Sequence, residues 1–245
     1  MTDSVVPAGE PLSQVERVVD AFVAPSKTFT DILRSTSWWM PFVIMAIVMM
    51  AATFAIDKKV TFEAVAQQQM TKTEASAERF QAMPPDQRDH AIKTTAMITR
   101  YSNYCGFAII LIFVSLEALV FWASFNFGLG AKTTFGQIFA VIMYAGMPRM
   151  FISLLTVVLL YAGVGVDNFD IQNPVGTNIG YFIQDHPALR MAGSFFDVFG
   201  LWSLVLLVIG MAIISRKSIG QSAAVVVGWW FVGLLLLTGV AAAFG

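Results

Sequence analysis

The sequence has few of the residues from which metal sites, disulfides and catalytic centres are built. A single cysteine among 245 residues, Cys105, excludes an internal disulfide. Two histidines, His90 and His186, form no histidine–cysteine cluster with zinc-ligand spacing. The patterns HExxH, Walker A and GxSxG do not occur. We therefore expect a protein that is not an enzyme and that uses no metal and no cofactor.

Charged residues are also scarce, at 13% of the chain, and the formal net charge is −1. A nearly neutral chain offers nucleic acid no electrostatic attraction, so we expect no nucleic-acid partner. Hydrophobic residues reach 57% and the mean hydropathy is +0.69, which lies outside the range of soluble globular domains. This composition indicates that the lipid bilayer is the chain's first partner.

Five apolar runs are long enough to cross a bilayer. A hydrocarbon core about 30 Å thick needs about 20 apolar residues in a helix, which satisfies its own backbone amides. The predicted spans cover residues 38–56, 105–127, 135–161, 195–215 and 222–244. We therefore predict an all-α, polytopic membrane protein whose five-transmembrane-helix bundle occupies residues 38–245.

Residues 1–37 are predicted to be a cytosolic tail with two short amphipathic helices. Ser13 and Glu16 have the spacing of a capping box, and Pro25 separates the two helices. The apolar stripes comprise Val15, Val18, Val19, Phe22 and Val23, then Phe29, Ile32 and Leu33. Interfacial helices along the headgroups and helices packed against the bundle would both produce this pattern.

Two longer polar segments separate the spans. Within residues 57–103 the composition predicts a helix over 61–82, a stop at Pro84, and a second helix that continues into the next span. We expect this segment to be an extramembrane helical hairpin, whose seven basic and six acidic residues are typical of a solvated face. Residues 162–192 are predicted to be an outer loop, with acidic side chains at Asp167, Asp170 and Asp185.

The basic residues predict how the chain is oriented. If the N-terminus is inside, the short inner segments hold Arg17, Lys27, Arg34, Lys132, Arg216 and Lys217. The outer side then holds Arg190 and the insert at 57–103, which we discount because its acidic residues nearly balance its basic ones. We expect a multi-pass protein of the plasma (inner) membrane with a cytoplasmic N-terminus and an external C-terminus.

Glu117 and Arg149 form a candidate intramembrane polar pair. At 1.5 Å per residue, both lie roughly 20 Å from the loop that joins the second and third spans, near the bilayer midplane. An unpaired charge at that depth costs about 2.5–3.5 kcal/mol or more, which favours pairing. The pair could be a structural device that fixes helix register, which we favour, or part of a polar pathway in which Glu117 takes protons.

Three other polar or helix-breaking positions accompany the pair. Pro148 cannot donate a hydrogen bond to the carbonyl of Tyr144, so we expect a helix kink beside Arg149. Tyr144 is a secondary polar candidate near the pair. Asp197, about one turn inside the fourth predicted span, could cap a helix or pair with Arg190.

Several segments resemble the Yip family, the Ypt/Rab-interacting-protein membrane domain, in its bacterial form. The matching stretches are Pro25-Ser26-Lys27-Thr28-Phe29-Thr30-Asp31-Ile32, Trp38-Trp39-Met40-Pro41, Tyr144-Ala145-Gly146-Met147-Pro148, Asn173-Pro174-Val175-Gly176, Asp197-Val198-Phe199-Gly200-Leu201-Trp202-Ser203-Leu204 and Ile209-Gly210. The resemblance implies a five-helix integral domain with a cytosolic N-terminus and without catalytic residues. In a bacterial protein, the external side predicted for the C-terminus is the periplasm. Some bacterial relatives accompany ABC-type exporters.

Two functional hypotheses follow from the sequence. The first is a non-enzymatic membrane scaffold or accessory subunit that binds other integral membrane proteins, with an ABC-type exporter or a second copy of the chain as candidate partners. The alternative is a transporter or channel with a polar midplane path at Glu117 and Arg149. Proton or solute flux through reconstituted protein would distinguish them.

Overall fold

The computed structural model describes residues 10–183 and 186–244, and these are mostly helical. The α-helices are α1 (Gln14–Val23), α2 (Pro25–Asp31), α3 (Trp39–Lys59), α4 (Phe62–Met70), α5 (Glu74–Ala82), α6 (Pro85–Tyr104), α7 (Gly106–Ala123), α8 (Phe135–Ala145), α9 (Met150–Tyr161), α10 (Pro187–Ser194), α11 (Val198–Ser215) and α12 (Ile219–Phe244). The predicted all-α class is confirmed. Asp185 and the first nine residues of the tail lie outside the described residues.

Five segments of this fold are long and apolar enough to span a bilayer. They are Trp39–Lys59, Gly106–Gly128, Phe135–Tyr161, Val198–Ser215 and Ile219–Ala243. The second includes a π-helical turn after α7, and the third joins α8 to α9 through a 3₁₀ turn at Met147–Arg149. The chain is therefore a polytopic helical membrane protein. We call the bundle end where α3 begins proximal and the opposite end distal.

The third and fourth spans form the centre of the bundle. In their most apolar 18-residue stretches, 56% and 50% of the residues are buried, against 11% in the second span and 6% in the fifth. Fully buried side chains from α8 and α11, including Ile138, Met143 and Met211, fill the core between them. Helices α7 and α12 therefore lie at the periphery, with most of their apolar surface facing outward.

Helices α1 and α2 form a short hairpin that packs against α11. The ring of Phe22 lies 5.8 Å from that of Trp202. A Cβ placed on Gly210 would lie 3.0 Å from the Phe29 ring. Trp202 and Gly210 are separated by about 12 Å of helical rise. The hairpin therefore runs along α11 and does not lie across its end. Of the two arrangements that the sequence allowed, along the headgroups or packed against the bundle, the structure has the packed one.

The outward face of α1 is apolar, whereas its inward face carries a charge. Val15, Val19 and Val23 are 59%, 52% and 74% exposed, while Arg17 is 2% exposed. The apolar stripe predicted along α1 therefore includes a side that faces away from the bundle.

Arg17 is bound tightly between α1 and the segment that follows α2. Its Nε donates to Asp31 Oδ2 at 2.6 Å, and its Nη1 donates to the carbonyl of Ser35 at 2.9 Å. The Thr28 hydroxyl donates to the carbonyl of Arg17 at 2.8 Å. This ion pair, which the sequence analysis did not identify, joins the two helices of the hairpin.

The insert at 57–103 contains three helices. Helix α4 packs against α6, and both share a small apolar cluster with the end of α3 that includes Phe62, Val65 and Ala96. The single helix predicted over 61–82 was wrong, because the chain turns between Met70 and Glu74. Thr73 caps the new helix α5 through a reciprocal capping box with Ser76.

Candidate functional site

A cavity of about 320 Å³ lies among α7, α8, α11 and α12. Its polar lining comes from Glu117, Arg149 and Ser203, and the rings of Trp229 and Trp230 also line it. The remaining wall is mostly aliphatic. The structure therefore places the two membrane charges that the sequence singled out at one cavity.

The break in the third span determines where Arg149 lies. Helix α8 ends at Ala145, Pro148 occupies the middle of the 3₁₀ turn, and α9 begins at Met150. The amide of Arg149 donates to the carbonyl of Gly146 at 3.1 Å, which is the tighter bonding of a 3₁₀ turn. Because proline has no amide hydrogen, regular α-helical bonding is interrupted here. The guanidinium consequently projects from a discontinuity in the helix.

Glu117 lies on the outward-facing helix α7, and its side chain is exposed, as is that of Arg149. The ion pairs within 4.0 Å that the described residues form do not include these two. They face the same cavity across an open gap. A direct salt bridge, the pairing expected from their matched depth, is not made in this structure.

Ser203 contributes an unsatisfied group to the same cavity. The residue is 5% exposed, and its Oγ makes no hydrogen bond in the structure. A buried hydroxyl without a partner costs about 1–3 kcal/mol. The cavity therefore presents a carboxylate, a guanidinium and a free hydroxyl that a polar group entering from outside could bind.

Asp197 lines a second cavity, of about 290 Å³, that shares Arg149 and Trp230 with the first. Its Oδ1 accepts hydrogen bonds from the amides of Phe199 and Gly200, both at 2.9 Å, so it is the N-cap of α11. Since α11 begins at Val198, Asp197 precedes the helix instead of lying one turn inside it.

Arg190, the possible partner of Asp197, pairs with Asp170. Tyr144 is likewise occupied elsewhere: its hydroxyl donates to Oε1 of Gln14 on α1, 3.4 Å away, and the residue is fully buried. Neither Tyr144 nor Asp197 forms a hydrogen bond or ion pair with Glu117 or Arg149 in this structure.

Ser203, Trp229 and Trp230 belong to the cavity, although none of the three was a candidate site residue from the sequence. Each lies in an almost uninterrupted apolar run, where a serine or tryptophan has no distinctive spacing. Their shared location depends on how α11 and α12 pack against α7. Among residues 10–183 and 186–244, no group of three or more His, Cys, Asp or Glu side chains is placed to hold a metal ion.

Comparison with known proteins identifies the family. The family model described as the Yip1 domain matches residues 19–240, which is nearly the whole chain. No curated protein and no solved structure matches. The matched region includes all of the first four spans and every residue of the cavity. The chain belongs to the Yip1-domain family of membrane proteins.

Proposed function

We propose that this protein is a non-enzymatic scaffold or accessory subunit that binds other integral membrane proteins from the side. The candidate partners are an ABC-type exporter and a second copy of the chain. We place it in the bacterial inner membrane, with the N-terminus in the cytoplasm and the C-terminus in the periplasm. The lateral surface formed by α7 and α12 would be the binding face.

The exposure of Glu117 is the observation that supports this proposal. The residue lies on a helix of which little is buried, and it reaches the surface within a membrane span at the cavity that it shares with Arg149. A charge there costs about 2.5–3.5 kcal/mol on insertion scales unless a polar group covers it. A neighbouring transmembrane helix that donates a hydrogen bond to the carboxylate would reduce this cost. Small residues support close approach, since a Cβ on Gly228 would meet nothing within 4 Å.

Site-specific photo-cross-linking in native membranes tests the proposal. A photoreactive benzoylphenylalanine in place of Leu116, which is 55% exposed on α7, should form discrete adducts with another membrane protein. The same substitution at Val158, 62% exposed on α9, is the matched control and should react with lipid alone. Mass spectrometry of the adducts identifies the partner, and Glu117→Gln should reduce their yield. If folded protein labelled at Leu116 gives only lipid adducts, the proposal is wrong.

The cavity itself favours a second candidate function, a transporter or channel. Arg149 borders two adjoining cavities, and Glu117, Ser203 and Asp197 extend the polar lining on either side of it. Such a row of groups could pass protons or a small polar solute. In proteoliposomes under an imposed proton gradient, transport predicts flux that Glu117→Gln abolishes while the protein stays folded. A scaffold predicts no flux in either protein.

A further inference from the structure

A cluster of charges at the distal end of the bundle is separate from the site described above. Lys72, in the turn between α4 and α5, donates to Gln172 Oε1 at 2.6 Å and lies 3.4 Å from Asp170 Oδ2. Arg190 of α10 pairs with the same carboxylate. Two cations therefore share a single anion, which leaves one positive charge in excess. The Lys72 and Arg190 side chains are only 28% and 16% exposed.

These cations face a cavity of about 530 Å³. Lys72 and Arg190 are its charged lining residues, and no acidic side chain among the described residues lines it. Its apolar lining includes Val240 and Ala241 of α12. The cavity thus combines cationic and apolar lining, which matches the two parts of an amphipathic anion.

The position of the apolar wall sets the depth of this cavity. Val240 and Ala241 lie in the last turn of the span Ile219–Ala243. In a bilayer, the end of such a span is expected near the boundary between hydrocarbon and headgroups, where lipid phosphates are found. Lys72 belongs to the insert and Arg190 to α10, and both lie outside the five spans.

We propose that this cavity binds one anionic phospholipid, with its phosphate between Lys72 and Arg190 and an acyl chain along the end of α12. Phosphate oxygens accept charge-assisted hydrogen bonds from ammonium and guanidinium groups. A zwitterionic lipid fits less well because its cationic headgroup would meet two cations, and no carboxylate among the described residues lines the cavity. The occupant we assign is therefore a lipid such as phosphatidylglycerol.

The electrostatics of Lys72 agree with this assignment. Burial, together with repulsion from Arg190, lowers the pKa of Lys72 from its ordinary value of 10.5 to about 8. A phosphate anion beside the ammonium would favour its charged form and raise that pKa again. A bound phosphate would thus add to the stabilisation that Asp170 and Gln172 already give the ammonium.

Native mass spectrometry of the full-length protein in detergent, titrated with defined lipids, tests the proposal. We expect one phosphatidylglycerol to bind at least about tenfold more tightly than phosphatidylcholine. Lys72→Gln should weaken phosphatidylglycerol binding by about tenfold, whereas Lys72→Arg should retain it. Lys93→Gln, which removes an exposed lysine of the same insert, is the matched control and should bind as the wild type does.

Glycerol 1-phosphate separates a lipid site from a site for free phosphate compounds. It lacks acyl chains, so it should bind at least about a hundredfold more weakly than phosphatidylglycerol. Equal affinity of the two would show that the cavity is a phosphate site and would overturn the lipid assignment. Equal binding of both phospholipids, unaffected by Lys72→Gln, would also overturn it.

A second measurement follows the wild-type protein, and a variant serves only to assign the signal. Reductive ¹³C-methylation of the wild-type lysines makes the titration of Lys72 visible by NMR, with Lys72→Arg protein identifying the signal. Phosphatidylglycerol should raise the pKa of Lys72 above about 8, and phosphatidylcholine should not. An unchanged titration at saturating phosphatidylglycerol would contradict the proposal.

Discussion

At the scale of single residues, Arg17 and Asp31 have the clearest energetic role. Their side chains are 2% and 5% exposed, and the guanidinium is held by both the carboxylate and the carbonyl of Ser35. A buried ion pair adds little net stability compared with apolar side chains, but the loss of one partner leaves the other charge uncompensated. The pair therefore matters chiefly for the specific arrangement of α1 against α2.

We expect Arg17→Met to destabilise the protein by at most about 3–5 kcal/mol, because buried Asp31 would keep only its longer contact with Arg34, at 3.8 Å. The double variant Arg17→Met with Asp31→Leu should recover most of that loss. The midpoint of unfolding in detergent measures both effects, and Lys27→Gln, at an exposed position of the same hairpin, is the control. Equal stability of the single and double variants would show that the charges are not coupled.

Gly210 provides a second test at the residue scale, this time of packing. A Cβ at this position would lie 2.5 Å from Val141 Cγ1 and 3.0 Å from the Phe29 ring, so three elements meet there without space for a methyl group. Gly210→Ala should cost about 1–3 kcal/mol through overpacking. Gly228→Ala on α12, where a Cβ meets nothing within 4 Å, should change stability by less than about 0.5 kcal/mol. Unfolding midpoints that move equally in both variants would contradict this packing.

At the scale of helices, Lys72 connects the insert to the loop between the third and fourth spans. The free energy of unfolding should depend on pH through this lysine. Its folded-state pKa of about 8 lies below the ordinary value of 10.5 that applies to the unfolded chain. Between these pH values the unfolded chain holds more protons, so stability should rise with pH across that window. Below about pH 8 the full cost of the buried charge applies.

Unfolding midpoints measured from pH 7 to 10.5 in neutral detergent should show this rise for the wild type and for Lys93→Met. The rise should be absent from Lys72→Met. Groups other than Lys72 that titrate in the window contribute to every curve, so the difference between two variants isolates the one lysine. A constant difference between Lys72→Met and Lys93→Met across the window would contradict the lowered pKa of Lys72.

The helices also show what could be predicted from the sequence. Five spans follow from composition, because no other structure satisfies backbone amides over such apolar lengths. The break between α4 and α5 was missed because Thr71, Lys72 and Thr73 have no proline or glycine to mark a turn. The inward charge of α1 was missed because the apolar stripe was assumed to face protein or headgroups, whereas its valines face outward from the bundle.

At the scale of the whole molecule, the cavity depends on tertiary packing that no local pattern contains. Glu117 and Arg149 could be singled out because charges are rare within apolar runs. The absence of a direct salt bridge between them could not be predicted, because it depends on where α8 ends and on how the 3₁₀ turn directs Arg149. The wall contributed by Trp229 and Trp230 depends on α12 lying beside α7 and α11, far away in the sequence.

The orientation of the bundle is a further prediction at this scale. The proximal end carries Lys132, Arg216 and Lys217 in short segments, which favours a cytoplasmic location. The distal insert also contains basic residues, seven against six acidic ones, and its helices fold together around Phe62 and Val65. With five spans, we expect the N-terminus in the cytoplasm and the C-terminus on the opposite side.

Cysteine accessibility in intact cells measures this orientation. In a Cys105→Ser background, Lys93→Cys in the distal insert should react with a membrane-impermeant maleimide from outside. Lys132→Cys at the proximal end should react only after the inner membrane is permeabilised; both lysines are exposed, so access depends on the side of the membrane alone. The reverse pattern would invert the bundle and place the lipid cavity in the cytoplasmic leaflet. Labelling of both positions from one side would mean that an even number of spans separates these two positions, which would contradict the single crossing by Gly106–Gly128.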